Sequence, residues 1–212
     1  FAQDNQVSFG LVVDLSYSNP HLSPFDELQR LKLHPLIRPI LEGGKRLSYG
    51  ARALTKGGLN SLPKLSFAGG VLVGDDAGFL NPAKIKGTHT AMKSGMLAAE
   101  AIFKAIQDGR EHDEVSEYQT NFENSWLFDD AKLAQNFSPA MHRMGTWLGG
   151  AFIFVEQNLL SGKIPLIIHD NSHDFASLDK ADHAYQPDYP KPDGKLTFDK
   201  LSSVFISNTN HA

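Results

Sequence analysis

The sequence predicts an α+β fold, and three observations carry that prediction. Residues 7–17 carry an apolar side chain at every second position. Residues 90–106 and 114–133 carry apolar residues at helical spacing. Two short apolar runs flank Gly69-Gly70, and the second leads directly into Gly74-Asp75. The first pattern is that of a half-buried antiparallel strand, and the second that of amphipathic helices.

The elements follow in chain order. Val7, Phe9, Leu11, Val13, Leu15 and Tyr17 share one face of the first expected strand. A helix then begins near Ser23: serine suits the cap, Pro24 the first turn, and Asp26 and Glu27 the positive helix end. His34-Pro35 ends it. A short apolar piece, 36–41, stops at Gly43-Gly44, and residues 46–54 read as a further strand before the Gly57-Gly58 turn. The run 71–73 is short and unpatterned, as in a buried strand. In the helix 90–106, Met92, Met96, Ala99, Phe103 and Ile106 fall on one stripe, while Gly95 and Ala98 would let a neighbouring backbone approach. Asp108–Arg110 ends it. The helix 114–133 places Val115, Tyr118, Phe122 and Trp126 together. Residues 144–155 carry no charge, residues 170–193 read as a long irregular connection, and 196–206 return to apolar patterning.

Composition limits the function. The 212 residues suffice for one large domain or two small ones with a real core. A net charge of −4 argues against a general grip on nucleic acid. The absence of cysteine excludes disulfides and thiolate-held metals in this chain. No signal peptide is visible, and no run reaches the roughly 18–20 apolar residues of a membrane span. The sequence starts at Phe1 without a methionine, and a piece of a longer protein is expected.

The stretch "VGDDAGFLNPAKIKGTHTAMKSG", residues 73–95, carries the chemistry. A strand ending in Gly74-Asp75 puts an acid at its carboxyl end, where open α/β sheets bind ligands. Gly87-Thr88 then opens a helix whose first amides are unpaired and partly positive. The acid suits the hydroxyls of a ribitol or ribose, and the helix end suits an anion or an electron-rich ring edge. The same pattern also fits a plain connection in which Asp75 or Asp76 caps a turn.

"LEGGKRLSYGARAL", "GGLNSLPKL", "VGDDAGFLN", "KIKGTHTAMKSG" and "YPKPDGKLTFDKLSSVFISNTNH" together resemble the electron transfer flavoprotein–ubiquinone oxidoreductase family, from Gly10 to His211. The resemblance implies an α+β fold with part of a Rossmann-like FAD-binding domain. It adds an antiparallel sheet of a quinone or substrate domain and a membrane-interface helix. It implies a quinone-domain part at 1–55, an FAD-domain part at 56–136, an interfacial helical segment at 137–168 and a connection toward an iron–sulfur domain at 169–212. Gly74 and Asp75 match the second FAD motif, in which the acid binds the ribityl chain. Gly87, Thr88 and Thr90 match the helix start beside the flavin ring, and Asn60 is a candidate donor to that ring. Which threonine makes which contact is open. The implied partners are electron transfer flavoprotein, ubiquinone and a membrane lipid surface. The implied location is peripheral, on a bacterial cytoplasmic or mitochondrial inner membrane. The expected activity is that of an electron-transferring-flavoprotein dehydrogenase, with no residue of this chain as general acid or base.

Two departures qualify the resemblance. The family's N-terminal Gly-x-Gly-x-x-Gly turn is not in this sequence, and the cysteines of its [4Fe–4S] cluster would follow residues 207–211. A middle-to-C-terminal piece is implied, expected to bind FAD weakly or not at all alone. A related lipid-acting flavoprotein, such as a geranylgeranyl-reductase-like enzyme, and a non-catalytic membrane-docking piece are the alternatives.

Met144, Trp147, Leu148, Ala151, Phe152, Val155 and Leu159 recur at helical spacing, with Ile153 and Phe154 adding apolar surface. His142 and Arg143 precede them and Lys163 follows. A core helix and a helix lying in a membrane interface both fit this pattern. The resemblance favours the second and puts Trp147, Leu148, Phe152 and Phe154 on the membrane or quinone side. His169, His173 and His183 lie near several aspartates, but their spacing matches no standard zinc pattern. His89 is expected to make a backbone contact at the helix start. Lys84, Lys86 and Lys93 fit either an anion site or a solvated surface.

Overall fold

The computed structural model describes residues 5–162 and 164–207; Lys163 and residues 208–211, used in the reading above, lie outside them. Among the described residues the architecture is mainly helical with one two-stranded antiparallel sheet, an α+β arrangement. The chain divides into two units, Phe1–Arg52 with Ser172–Ala212, and Ala53–Asn171.

In the first unit, α1 (Pro24–Lys32) starts as its sequence requires. Ser23 caps it by accepting from the Asp26 amide at 3.3 Å, and Asp26 and Glu27 occupy the first turn. Tyr189 Oη accepts from the Ser23 amide and donates to Glu27 Oε1, both at 3.0 Å. The apolar piece after His34-Pro35 forms the single-turn helix α2 (Arg38–Leu41). Buried Gln29 accepts from Lys32 Nζ at 2.9 Å and from the Phe198 amide at 3.0 Å. Arg46 lies over the Phe198 ring at 3.7 Å and donates to Ser203 Oγ at 2.8 Å. Burial and the neighbouring Arg46 charge lower the Lys32 pKa against the pull of Asp193. Asp193 Oδ1 accepts from the amides of Thr197, Lys195 and Leu196, and these bonds hold its carboxyl far below the usual range. The turn leads to α7 (Lys200–Phe205), capped by Asp199.

The second unit holds the described hydrophobic core cluster. β1 (Ser66–Phe67) and β2 (Gly70–Val71) pair as a tight hairpin, Ser66 opposite Val71 and Phe67 opposite Gly70. α3 (Thr88–Gln107) packs on α4 (Ser116–Glu123), and α5 (Trp126–Leu133) follows. Leu65, Phe79, Leu97, Tyr118, Phe122 and Leu127 form the centre of the cluster. Phe122 meets Phe79 and Phe128 edge-on at 5.1 and 5.5 Å, a favourable geometry for aromatic quadrupoles. α6 (Phe137–Asn158) ends the unit's helices.

Several expected elements take another form. Residues 7–17 contain no assigned strand; Val7, Leu11 and Leu15 are exposed, and Phe9 and Val13 are half-buried. Alternation makes a strand only where a neighbour pairs with it, and among the described residues none does. Residues 46–54 likewise form no strand: Arg46 turns to Phe198, and Leu47 and Leu54 are exposed. Of the expected buried strand 71–73 only Val71 belongs to the hairpin, and Val73 is exposed. The single helix expected over 114–133 is two. The Asn124 amide makes the last helical bond of α4, to Thr120 O at 3.1 Å; the Ser125 amide and Oγ then take Phe122 O at 3.0 and 2.7 Å, a carbonyl that a continuing helix would give to the Trp126 amide. Trp126 therefore leaves the buried stripe of Val115, Tyr118 and Phe122 and is half exposed.

Two corrections concern helix faces. On α3 the buried face is Thr90, Ser94, Leu97, Ala98, Ala101 and Ala105, while Met92, Met96, Phe103 and Ile106 are exposed. Small residues let α4 and the 74–77 turn come close; periodicity cannot tell which of two apolar stripes faces this core. The helical segment expected at 137–168 is broken at Gly145, whose φ of 70° and ψ of 180° only glycine adopts without strain. The chain doubles back there, so that Gly149 abuts the backbone of Ala140 and Met141. The two arms are bolted at their base: buried Asn136 donates to Glu156 Oε1 at 2.6 Å, and Gln157 donates to Leu133 O at 2.6 Å.

Candidate functional site

The site is built on the turn after the hairpin. Residues Gly74–Ala77 form one 3₁₀ turn, closed by Gly78 in the left-handed region. The Gly78 amide donates to Asp75 O at 2.9 Å and the Phe79 amide to Gly74 O at 3.1 Å. Gly74 has φ 60°, and a Cβ there would meet Ala91 Cβ at 3.3 Å, so the turn lies directly on the second turn of α3. Ser94 fastens it: its hydroxyl accepts from the Gly74 amide at 2.9 Å and donates to Ala91 O at 2.9 Å. Beneath, Tyr118 Oη donates to Leu72 O at 3.0 Å. Asp75 and Asp76 stay exposed at the surface of the turn.

α3 begins at Thr88 with Gly87 as its cap residue, and no side chain caps it. The Ala91 amide bonds Gly87 O at 2.8 Å, which leaves the amides before it without helical partners. Thr88 is exposed. Thr90 is buried, and its hydroxyl donates to Gly87 O at 2.8 Å. The two threonines thus differ: Thr90 locks the cap, and Thr88 faces outward. Asn60 sits exposed on the 3₁₀ turn Leu59–Ser61. A narrow crevice joins that turn, through Gly58 and Leu59, to Gly78, Thr90 and Asp130. The structure therefore gathers the elements bearing Asn60, Gly74, Asp75, Gly87, Thr88 and Thr90 around the start of α3.

Sequence reasoning missed the brace on this start. Asp130 on α5 accepts from Asn81 Nδ2 at 2.7 Å and from Lys84 Nζ. Burial pushes the Asp130 carboxyl up. Hydrogen bonds from Lys84 and Asn81, with the Lys84 charge and His89, outweigh it and hold the group below its ordinary value. His89 makes a different contact from the backbone one expected. Its ring stacks on Trp126 at 6.0 Å and 5°, with Nε2 4.0 Å from Asp130 Oδ2. Lys84 is thereby a bound lysine and not a free surface charge. Asn81-Pro82 was legible as turn chemistry, but its distant partner was not.

Trp147, Leu148 and Phe154 lie on the second arm of α6, and Trp147 is 90% exposed. Phe152 on the same arm is half-buried. Near the Gly145 turn, His142 Nδ1 lies 2.9 Å from Asp170 Oδ2, and Arg143 donates to His169 O at 3.2 Å. Among the described residues no helix is long and apolar enough to cross a membrane.

A family model described as "ETF-QO, ubiquinone-binding" matches residues 1–54. An electron transfer flavoprotein–ubiquinone oxidoreductase of Pseudomonas aeruginosa is 62% identical over 210 residues, covering 99% of this chain and 38% of the relative. The chain belongs to the electron transfer flavoprotein–ubiquinone oxidoreductase family. The mitochondrial electron transfer flavoprotein–ubiquinone oxidoreductase of Homo sapiens is 48% identical over 211 residues, 97% of this chain and 34% of that protein. A probable electron transfer flavoprotein–ubiquinone oxidoreductase of Acinetobacter baylyi is 56% identical over 228 residues, 99% of this chain and 40% of its own length. The chain thus spans between 34% and 40% of these three relatives.

Proposed function

We propose that this chain is the part of an electron-transferring-flavoprotein dehydrogenase that grips the ring and ribityl side of FAD and rests on a lipid surface. The whole protein would pass electrons from reduced electron transfer flavoprotein to ubiquinone. The observation that carries the reading is the uncapped amino end of α3, with the Gly74–Ala77 turn fastened to its second turn by Ser94. The donor set fits FAD. Asp75 is an exposed acceptor suited to ribityl hydroxyls, and the α3 amides suit the electron-rich edge of the ring. Bound FAD would supply the redox chemistry. The chain's own residues hold, orient and electrically bias it. Thr90 fixes the cap, Thr88 and Asn60 offer polar groups at the rim, and Gly74 lets the acid's turn approach the helix. A [4Fe–4S] cluster takes cysteine thiolates, and this chain has none to offer.

The exposed α3 stripe of Met92, Met96, Phe103 and Ile106 is an apolar face of the kind that a helix packs against the sheet in a Rossmann-like domain. Residues 1–55 would belong to the quinone domain, 56–136 to the FAD domain, and 169–212 to the connection toward the cluster domain. The α6 hairpin, 137–168 with its following segment, would be the membrane-interface element. Burying Trp147 and Leu148 would contribute roughly 5 kcal/mol at most, reduced by ordering. Peripheral attachment to a bacterial cytoplasmic or mitochondrial inner membrane follows. The full-length protein is tested by mixing it with reduced electron transfer flavoprotein and a ubiquinone analogue. Quinone reduction dependent on the flavoprotein supports the reading, and its absence in a flavin-loaded preparation refutes it.

A further inference from the structure

α5 holds the amino end of α3 at two points one helical turn apart. At the first, Asp130, whose side chain is 16% exposed, accepts from Asn81 Nδ2 at 2.7 Å and from Lys84 Nζ. Asn81 is fully engaged in turn. Its amide donates to Lys86 O at 3.1 Å, and its carbonyl accepts from the Ile85 amide at 2.9 Å. Its Oδ1 accepts from the amides of Ala83 and Lys84, each at 3.0 Å. Residues 81–86 are therefore a closed ring of hydrogen bonds, tied to α5 through Asp130. At the second point, Trp126 stacks on His89 in the first turn of α3 at 6.0 Å, and His89 Nε2 lies 4.0 Å from the same Asp130 carboxylate.

The loop is also strained. Ile85 has φ 50°, a region that a β-branched side chain avoids, and such strain persists only where surrounding contacts impose it. The ring leads into Gly87, the uncapped start of α3. Any rotation of the ring would re-aim the amides of Thr88 and His89.

We infer that Trp126 and Asp130 are positioning residues: they fix where the α3 amides point and thereby set the affinity and potential of the flavin those amides face. The inference rests on the proposed flavin role of α3. It assigns α5, which bears no motif, a function in that site.

The test uses the flavin-loaded full-length protein with Asp130→Ala, Asp130→Glu and Trp126→Ala, and Asp75→Asn as an independent probe of the flavin site. FAD dissociation constant, visible absorption band, midpoint potential and thermal melting are measured. Asp130→Ala is expected to weaken FAD by about tenfold, the size of one charge-assisted hydrogen bond, and to shift the band and the potential. Asp130→Glu should restore part of each. A purely structural role would lower melting alone. Trp126 is half exposed, so Trp126→Ala carries the test if Asp130→Ala does not fold. Folded variants with unchanged affinity, band and potential overturn the inference. If Asp75→Asn still weakens FAD in that case, the flavin site stands without the brace. If Asp75→Asn changes nothing either, the flavin reading falls with it.

Discussion

Tyr118 is fully enclosed, donates to Leu72 O at 3.0 Å and has its phenol pushed up to about 12 by burial, only partly opposed by Ser94. A raised folded pKa means stability is complete below the unfolded value near 10 and is lost as pH climbs toward 12. The loss amounts to roughly 3 kcal/mol across that window. Tyr118→Phe should cost about 1 kcal/mol at neutral pH for the lost hydrogen bond, then lose less than the parent under alkali. Urea unfolding at several pH values checks both parts; parallel pH curves for the two proteins would contradict the account. Asp130 has the opposite sense. Its lowered pKa means that its tie to Asn81 and Lys84 holds above the ordinary carboxylate range and loosens as pH falls through the folded value. Asp130 was invisible in the sequence for a plain reason: its partner Asn81 lies 49 residues away and Asp130 itself belongs to no motif.

Elements were legible where a local rule decides them. Ser23-Pro24 announced α1, and the small-residue run announced α3, because caps and periodicity act within a turn or two. Strands over 7–17 and 46–54 failed because pairing is a property of two segments and not of one. The break in α6 failed because one dihedral at Gly145 leaves the spacing of apolar residues almost intact. Gly145→Ala should cost on the order of 1–3 kcal/mol by forcing a Cβ into that φ, and should loosen the hairpin. Thermal unfolding measures it, and an unchanged midpoint would show that the turn has a relaxed alternative. The broken helix also changes which side chains meet lipid. Phe152 is half-buried, so Trp147 and Leu148 beside the turn are the natural probes. Trp147→Glu with Leu148→Glu should abolish co-sedimentation with anionic liposomes while the fold survives, since both residues are exposed. Retained sedimentation of the folded double variant would remove α6 from the membrane reading.

At the scale of the molecule, the family was readable from a few strings, above all residues 84–101, and identities of 48–62% to full-length relatives bear that out. The Gly74–Ala77 turn beside α3 was anticipated in outline, an acid near a helix end. What holds it there was not: Ser94 beneath the turn, Asn81 in the loop and Trp126 with Asp130 on α5 are ordinary residues whose roles arise only from packing. The large exposed residues on α3 follow from the same cause, since only tertiary contacts choose which face a helix buries. The account as a whole stands on the flavin lying across the start of α3. The most direct measurement is an experimental structure of the flavin-loaded full-length protein. It should show a ribityl hydroxyl on the Asp75 carboxylate and the ring edge within hydrogen-bond reach of the amides at residues 88–90. A flavin bound elsewhere, with Asp75 and Thr88 both open to water, would contradict it.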